Sequence, residues 1–398
     1  MTLRTTVAII GAGPAGLLLA HLLHRAGIDS VVLESRSRDH IERRVRAGVL
    51  EEGAAQLLQD AGVGERLDRE GLEHGGIHLR FGGESHRIDF KQLTGRGIVV
   101  YGQQEVVKDL VQARIDAGAP LLFEAEAREI RGIDDDHPSI LFTHGGDDEL
   151  LDCDYVAACD GAHGIGRAAM VARGAITYER NYPHAWLGLL AATPPAADEL
   201  IYAYHDHGFA LHSMRSPTMS RLYLQVASGE TLDGWPVERI WAELRLRLNE
   251  PSLEAGEILD LGITAMTSVV LEPMQSEGLF IAGDAAHIVP PTGAKGMNLA
   301  IADVAVLAAA LTDRIKTGQS EALNNYTLNC LKRVWRAQYF SSFMTQLLHR
   351  ERLEDSFDDQ IHLAQLRYVT SSRAASKALA ENYTGAAMGS VSLTKIGP

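Results

Sequence analysis

The chain has 398 residues, 46% hydrophobic and 22% charged, with a formal net charge of −15. That length suggests two or three domains with ample core, and the composition is that of an ordinary globular protein. The acidic balance argues against nucleic acid as a partner, because no basic excess exists to neutralise phosphates. Local runs such as Arg43-Arg44-Val45-Arg46 still suit a small anionic ligand.

The apolar start is interrupted by Gly11, Gly13, Pro14 and Gly16 and continues into a βαβ pattern, so it reads as a strand rather than a signal peptide. Val7-Ala8-Ile9-Ile10-Gly11-Ala12-Gly13-Pro14-Ala15-Gly16 gives strand, tight turn and helix, and Val31-Val32-Leu33-Glu34 gives the next strand. Gly11 permits the turn, Gly13 lets the backbone approach a pyrophosphate, and Gly16 lets the helix pack on the strand. The helix N-terminus offers N–H groups to phosphates. Glu34 is placed for a ribose hydroxyl pair. A glycine turn that binds nothing is the bland alternative, and this motif does not separate NAD from FAD.

Further along, 48–67 has helical apolar spacing, 76–90 alternates as strand, and 103–117 reads as helix. Short strands follow at 121–123 and 140–142, with a turn at 144–148. A strand from Cys153 ends in Asp160-Gly161 and leads to Arg167, which suits a backbone meeting a charged cofactor, or is a plain turn. Residues 181–268 are β-rich and aromatic, with a helix near 237–248. Within them 209–215 and 221–226 form a hairpin through 216–220. Leu279-Phe280-Ile281-Ala282-Gly283-Asp284-Ala285-Ala286-His287 is a second glycine-containing segment, and from about residue 300 the chain is helical.

Three cysteines, Cys153, Cys159 and Cys330, make neither a metal spacing nor a disulfide framework, and reduced thiols in the cytoplasm are the simplest reading. No uninterrupted run of about 18 apolar residues occurs, so no membrane span is expected.

The two glycine segments together point to FAD and to redox chemistry. In the hairpin, Ser213 and Arg215 share one strand face, and Arg221 and Tyr223 share one on the partner. An arginine flanked by hydroxyls is a good carboxylate receptor, since guanidinium offers a planar fork of donors. The alternative is a solvated hairpin face.

These residues resemble the class A flavoprotein aromatic hydroxylases over nearly the whole chain. The resemblance is carried by residues 11–16, by Arg46-Ala47-Gly48-Val49-Leu50, by Tyr101-Gly102-Gln103, and by the stretch from Cys159 through Asp160 and His163 to Gly164. It continues through Leu200-Ile201-Tyr202-Ala203, residues 282–299 and Glu381-Asn382-Tyr383. It implies a mixed α/β (α+β) fold: a Rossmann-like FAD-binding domain over 1–180, completed by about 269–300. A β-sheet substrate domain is inserted at 181–268, and 301–398 forms a helical C-terminal region.

The resemblance also implies roles. The dinucleotide turn (Gly11, Gly13, Ala15, Gly16) and Glu34 would hold the adenosine half of FAD, and Asp284, after Gly283, the ribityl chain. Arg44, Arg46 and Gln103 would line the phosphate and ribityl region, with Asp160 and Arg221 supporting the flavin site. Residues from Pro291 through Gly296, Met297 and Asn298 would pass the isoalloxazine ring. Ser213, Arg215 and Tyr223 would hold a benzoate carboxylate. Tyr202 would partner the substrate phenol, Tyr383 would be the second proton link, and His74 the surface terminus of the relay. The implied reaction hydroxylates 4-hydroxybenzoate with O2 through a flavin hydroperoxide and an activated phenolate, with no metal, in a homodimer.

No second dinucleotide fingerprint exists, so NADH or NADPH would bind transiently, with Arg36, Arg38, His40, Arg44 and His163 as candidates. NADPH-specific members carry an arginine after the ribose-binding acid and a tyrosine where His40 stands. Ser35, His40 and Thr267 depart from that pattern, which points to NADH, with NADPH as the alternative donor. A hydroxylase of another phenolic acid, such as 3-hydroxybenzoate, and a flavin-binding regulatory protein without turnover are the other readings.

Overall fold

The computed structural model describes residues 3–46, 48–135, 137–350 and 356–385. Residues 351–355 and 386–398 of the expected helical C-terminal region lie outside the described residues.

The strand Leu3–Ile10 lies between two parallel neighbours, Asp147–Ala158 and Ser30–Leu33. Parallel neighbours need a crossover, supplied by the helix Pro14–Arg25. Pro14 opens that helix, where its missing N–H costs nothing. Strand residues Val7 to Ile10 are buried on both faces, which explains their unbroken apolar character. The sheet runs Gln275–Ser276, Leu279–Ile281, Asp147–Ala158, Leu3–Ile10, Ser30–Leu33, Leu121–Leu122. The strand leading to the second glycine segment is therefore one strand removed from the strand leading to the first.

A second sheet runs His287–Ile288, Glu257–Glu272, Ile176–Ala192, Met219–Ala227, Ala210–Ser216, Leu200–Ala203, Gly76–Phe81, Glu84–Asp89. One face carries Leu187, Leu189, Leu222 and Leu224 and is covered by the helix Val237–Arg247. The other carries Trp186, Tyr202, Phe209, Leu211 and Tyr223, packed against Phe340, Met344 and Tyr383 of the C-terminal helices. Alternation along each strand thus separates a purely structural face from the face that holds the site.

Several expectations change. Residues 76–89, read as part of the first domain, pair into the second sheet, with Gly76–Phe81 parallel to Leu200–Ala203. The strands Ile176–Ala192 and Glu257–Glu272 cross the boundaries read near 180 and 268. The helix expected over 48–67 is a short strand, Val49–Glu51, and two helices, Glu52–Asp60 and Glu65–Glu70. Val49 and Leu50 pair with Val100 and Val99, and Gly62 turns at φ 77, so tertiary pairing and a left-handed glycine break the helical pattern. The hairpin turn is shorter than expected, because its strands reach Ser216 and restart at Met219.

One described helix, Gly296–Thr317, is long and apolar enough to cross a membrane by composition, but 72% of its apolar window is buried inside the protein.

Candidate active site

The two glycine segments meet. A Cβ added to Gly283 would lie 3.4 Å from the Ala15 side chain and 3.2 Å from that of Ala300. Gly11 has φ 96, and a Cβ on Gly16 would lie 2.0 Å from the Gly11 carbonyl oxygen, so both must be glycine. Gly13 is different: nothing stands within 4 Å of the Cβ it lacks. Gly13 is also the N-cap of the helix Pro14–Arg25, with no side-chain cap bond, so the first N–H groups of that helix are not capped by it. The Glu34 carboxylate accepts from the N–H groups of Ala12 and Arg36, both at 2.8 Å. Asp284 is exposed, and Arg44 lies in the fields of Arg46, Asp284, Glu34 and Arg36. Burial first, and Arg46 second, lower the Arg44 pKa. A glycine turn with room beside Gly13, an acid ending the second strand, an exposed Asp284 and the nearby Arg44 and Arg46 fit a flavin dinucleotide.

The turn carrying Asp284 is fixed from behind by residues the motif did not reveal. Asp303 accepts from Gly283 N–H at 3.1 Å and from His287 Nε2 at 2.6 Å, clamping both ends of the turn. Burial opposes charge on His287, but Asp303 outweighs it and raises its pKa. Arg167, read as a cofactor-facing cation, instead donates to the carbonyls of Asp284 and Ala285 at 2.6 and 3.2 Å. Asp160 accepts from Gly166 N–H at 2.9 Å, which holds the turn after its strand. Gln103 is the first residue of the helix Gln103–Asp116.

Pro291 opens a 3-10 turn that ends at Ala294, a non-glycine at φ 52. Gly296, Met297 and Asn298 form the first turn of Gly296–Thr317, again with no side-chain cap. The Asn298 side chain is occupied: its amide donates to Val49 O and Ala294 O, and its oxygen accepts from Glu51 N–H. Only its backbone N–H is left for a ligand. Lys295, which sequence reasoning assigned no role, donates to Glu51 Oε1 at 2.6 Å and to the Tyr383 carbonyl at 2.7 Å.

The second sheet brings the substrate-side residues onto one face. Tyr202 stands beside Leu211, and Leu211 beside Tyr223. Ser213 opposes Arg221. Tyr223 opposes Gly188, where a Cβ would come within 2.9 Å of the tyrosine ring. Arg215 lies over Gly48, whose added Cβ would be 2.7 Å from Nη1. Arg221 donates to Asp260 at 2.5 Å and to the Tyr223 hydroxyl at 3.3 Å. Burial lowers the Arg221 pKa, but Tyr223 and Asp260 more than offset it. Arg215 has no carboxylate partner among the described residues, and its buried Nε has no acceptor there. Burial lowers its pKa too. Of the two cations, then, Arg221 is neutralised by a carboxylate, whereas Arg215 donates to the Gly48 carbonyl at 3.4 Å.

The hydroxyls of Tyr202 and Tyr383 are 2.5 Å apart, and each side chain is 1% exposed. Burial raises both pKa values, so both are neutral near pH 7. His74 does not sit at the surface. It is 1% exposed, neither ring nitrogen has a hydrogen-bond partner among the described residues, and burial lowers its pKa to about 4. The strand Leu72–His74 pairs with Ile98–Val100 and carries the ring inward, which spacing in sequence could not show.

Burial also lowers His184 and His212 to about 4. A histidine depressed in the fold stabilises it fully above the unfolded value near 6.5, and that contribution is lost as pH falls toward 4. Each such group should add a slope of about 1.4 kcal/mol per pH unit in that window. Urea midpoints measured from pH 7 to pH 4 should fall with two or three groups' worth of slope; a flat profile would refute it.

Arg36, Arg38 and His40 are exposed on the segment before and within the helix Arg38–Arg43. A surface cavity of ≈ 420 Å³ is lined by Ser37, Asp39, His40, Arg43 and Arg44. Arg38 is paired with Glu42 at 2.6 Å and Arg43 with Asp39 at 2.7 Å. His163 is exposed on a separate turn and does not line that cavity. Thr267 donates to Arg180 O.

Residues 4–341 match the family model described as FAD binding domain. The chain is 46% identical over 388 residues to p-hydroxybenzoate hydroxylase of Acinetobacter baylyi, covering 96% of each. It is 28% identical over 324 residues to 6-methylpretetramide 4-monooxygenase of Streptomyces rimosus, covering 75% of this chain and 73% of that one. In fold it matches the crystal structure of p-nitrophenol 4-monooxygenase from Pseudomonas putida with TM-score 0.84 and 19% identity, over 97% of this chain and 99% of the other. With the two glycine segments brought together, the match to the family model and the 46% identity over nearly the whole chain, the chain belongs to the class A FAD-dependent aromatic hydroxylases.

Proposed function

We infer that this protein hydroxylates 4-hydroxybenzoate to 3,4-dihydroxybenzoate, using FAD, O2 and a nicotinamide donor. The observation that carries the substrate assignment is one sheet face bearing both an arginine with no carboxylate partner among the described residues and a buried tyrosine hydroxyl paired with a second. The 46% identity to p-hydroxybenzoate hydroxylase supports the same substrate.

Bound FAD would accept electrons from the donor and activate O2, chemistry that no side chain supplies. Gly11, Gly13, Ala15, Gly16 and Glu34 would hold its adenosine half. Arg44, Arg46, Gln103, Gly283 and Asp284 would hold its middle. The backbone of residues 291–298 would face its ring, with Asp160 and Arg221 supporting the site behind it. Arg215, Ser213 and Tyr223 would fix the substrate carboxylate. Tyr202 would accept the phenolic proton as its own passes to Tyr383, which would release its hydroxyl proton toward solvent in the same step. The phenolate so formed is a far better nucleophile at the carbon ortho to its oxygen than the phenol. Closure of the pocket by Pro291 and the surrounding rings would keep water from the reacting atoms.

NADH is the proposed donor, with binding along Arg36, His40 and Arg44. The pairing of Arg38 with Glu42 and of Arg43 with Asp39 supports this, because it leaves fewer cations for a 2′-phosphate. A cytoplasmic homodimer completes the proposal. The exposed rings of Trp335 and Tyr339 on the helix Tyr326–Leu348, with Tyr178 packed against Trp335, support self-association.

Steady-state oxidation of NADH and NADPH, each with and without 4-hydroxybenzoate, tests the assignment. The expected result is oxidation strongly stimulated by the aromatic acid, with kcat/KM for NADH at least equal to that for NADPH. A strong NADPH preference would refute the donor assignment, and a bound acid without stimulation would refute turnover.

A further inference from the structure

We propose that His349 is a positioning residue for the carboxylate receptor, acting through Trp186 on Tyr223; this rests on Ser213, Arg215 and Tyr223 forming that receptor. His349 follows the helix Tyr326–Leu348 and is buried against the site-bearing face of the second sheet.

The Trp186 indole nitrogen lies 2.6 Å from His349 Nε2. An indole N–H only donates, so Nε2 must be the acceptor. The imidazole proton is therefore on Nδ1, which donates to the Thr345 carbonyl at 3.0 Å. Both ring nitrogens are committed and the tautomer is fixed. Burial, and His184 stacked at 4.5 Å, lower the His349 pKa, so the ring stays a neutral acceptor.

Trp186 in turn is a wall of the pocket. Its ring stacks on Phe209 at 5.3 Å and meets Tyr223 at 4.8 Å. Trp186 opposes Gln225, and Gly188, two residues on, opposes Tyr223. Gly188 has no side chain to brace the tyrosine, so Trp186 is the neighbour on that strand that sets its ring. The helix end is also clamped to Met219–Ala227, the strand of Tyr223: Gln225 donates to Arg350 O at 2.6 Å and accepts from Arg350 N–H at 3.2 Å. Tyr223 is thus referenced to the end of a helix from a distant part of the chain through two linked contacts. Neither contact is made to the hydroxyl-end pair, Tyr202 and Tyr383, by hydrogen bonding, so the role belongs to substrate binding rather than to the proton step.

His349→Phe keeps an aromatic ring but removes the acceptor and strands a buried indole N–H. KM for 4-hydroxybenzoate should rise about tenfold with kcat within about twofold, the pattern of lost uniform binding. His349→Gln, whose amide oxygen can accept, should recover most of that loss. Trp186→Phe should raise KM similarly, and adding His349→Phe to it should change little more. The indole N–H band of Trp186 in ultraviolet resonance Raman spectra, identified by difference from Trp186→Phe, should shift in His349→Phe. An unmoved KM in His349→Phe, or an undiminished effect in the Trp186→Phe background, overturns the proposal. If His349→Phe does not fold, His349→Gln in both backgrounds provides the same cycle, and full additivity there overturns it. Tyr223→Phe separates the two levels: an unmoved KM in that variant refutes the receptor, whereas a raised KM there with an unmoved KM in His349→Phe refutes only the positioning role.

Discussion

Tyr202→Phe is expected to retain FAD and to bind 4-hydroxybenzoate within a few-fold of the parent, yet to lose coupled hydroxylation by roughly 100- to 10,000-fold. Phenylalanine preserves the packing of the ring against Phe209 and Tyr383 and deletes only the hydroxyl. That hydroxyl is 2.5 Å from Tyr383 and is held neutral by burial, so it cannot act as a standing base. It can act only as a link that accepts one proton while passing on another. Without it the substrate stays a phenol, the ring carbon remains a poor nucleophile, and electrons from the donor are lost to peroxide. Donor oxidation and product yield, measured together, check this. A normal yield of 3,4-dihydroxybenzoate would refute the relay.

Arg215→Gln should act at the other end of the substrate. Removing this cation, which has no carboxylate partner among the described residues, should raise KM roughly 100-fold, equivalent to about 3 kcal/mol. The comparison that isolates the charge is selectivity. The parent should prefer 4-hydroxybenzoate to a phenol lacking the carboxylate by a large factor, and the variant should show little preference. Arg221 cannot substitute, because Asp260 already neutralises it and its guanidinium is held at 2.5 Å from that carboxylate. Retained selectivity in the variant would place the carboxylate elsewhere.

What was legible in the sequence was mainly local. Glycines at 11 and 16 report a left-handed turn and a close helix–strand approach, which are properties of a few consecutive residues. Alternation in the hairpin grouped Ser213 with Arg215 and Arg221 with Tyr223, because side chains in a strand repeat every two residues; the register that sets Ser213 opposite Arg221 is a property of the fold. The meeting of Gly283 with Ala15 also followed from reading the two glycine segments as one site.

What was not legible depends on contacts between distant segments. Asp303 clamps the turn at 283–287 from within the helix Gly296–Thr317, which reads as plain core. Asp260 decides which arginine is free, yet it lies on a strand with no motif. His74 was assigned to the surface by resemblance, but pairing of its strand with Ile98–Val100 carries it inside. Residues 76–89 have a clear strand pattern, but alternation does not say which sheet a strand joins. The tyrosine pair is the intermediate case: residue types suited to proton transfer were visible, but their juxtaposition across the fold came from the resemblance and then from geometry.

The central claim is that one oxygen atom of O2 enters the ring of 4-hydroxybenzoate. Turnover under ¹⁸O2, with mass analysis of the product and parallel measurement of donor consumed, tests it most directly. The expected product is 3,4-dihydroxybenzoate carrying a single ¹⁸O, formed nearly one for one with donor oxidised. Donor oxidation with the aromatic acid recovered unchanged, or product bearing oxygen from water, would contradict the account.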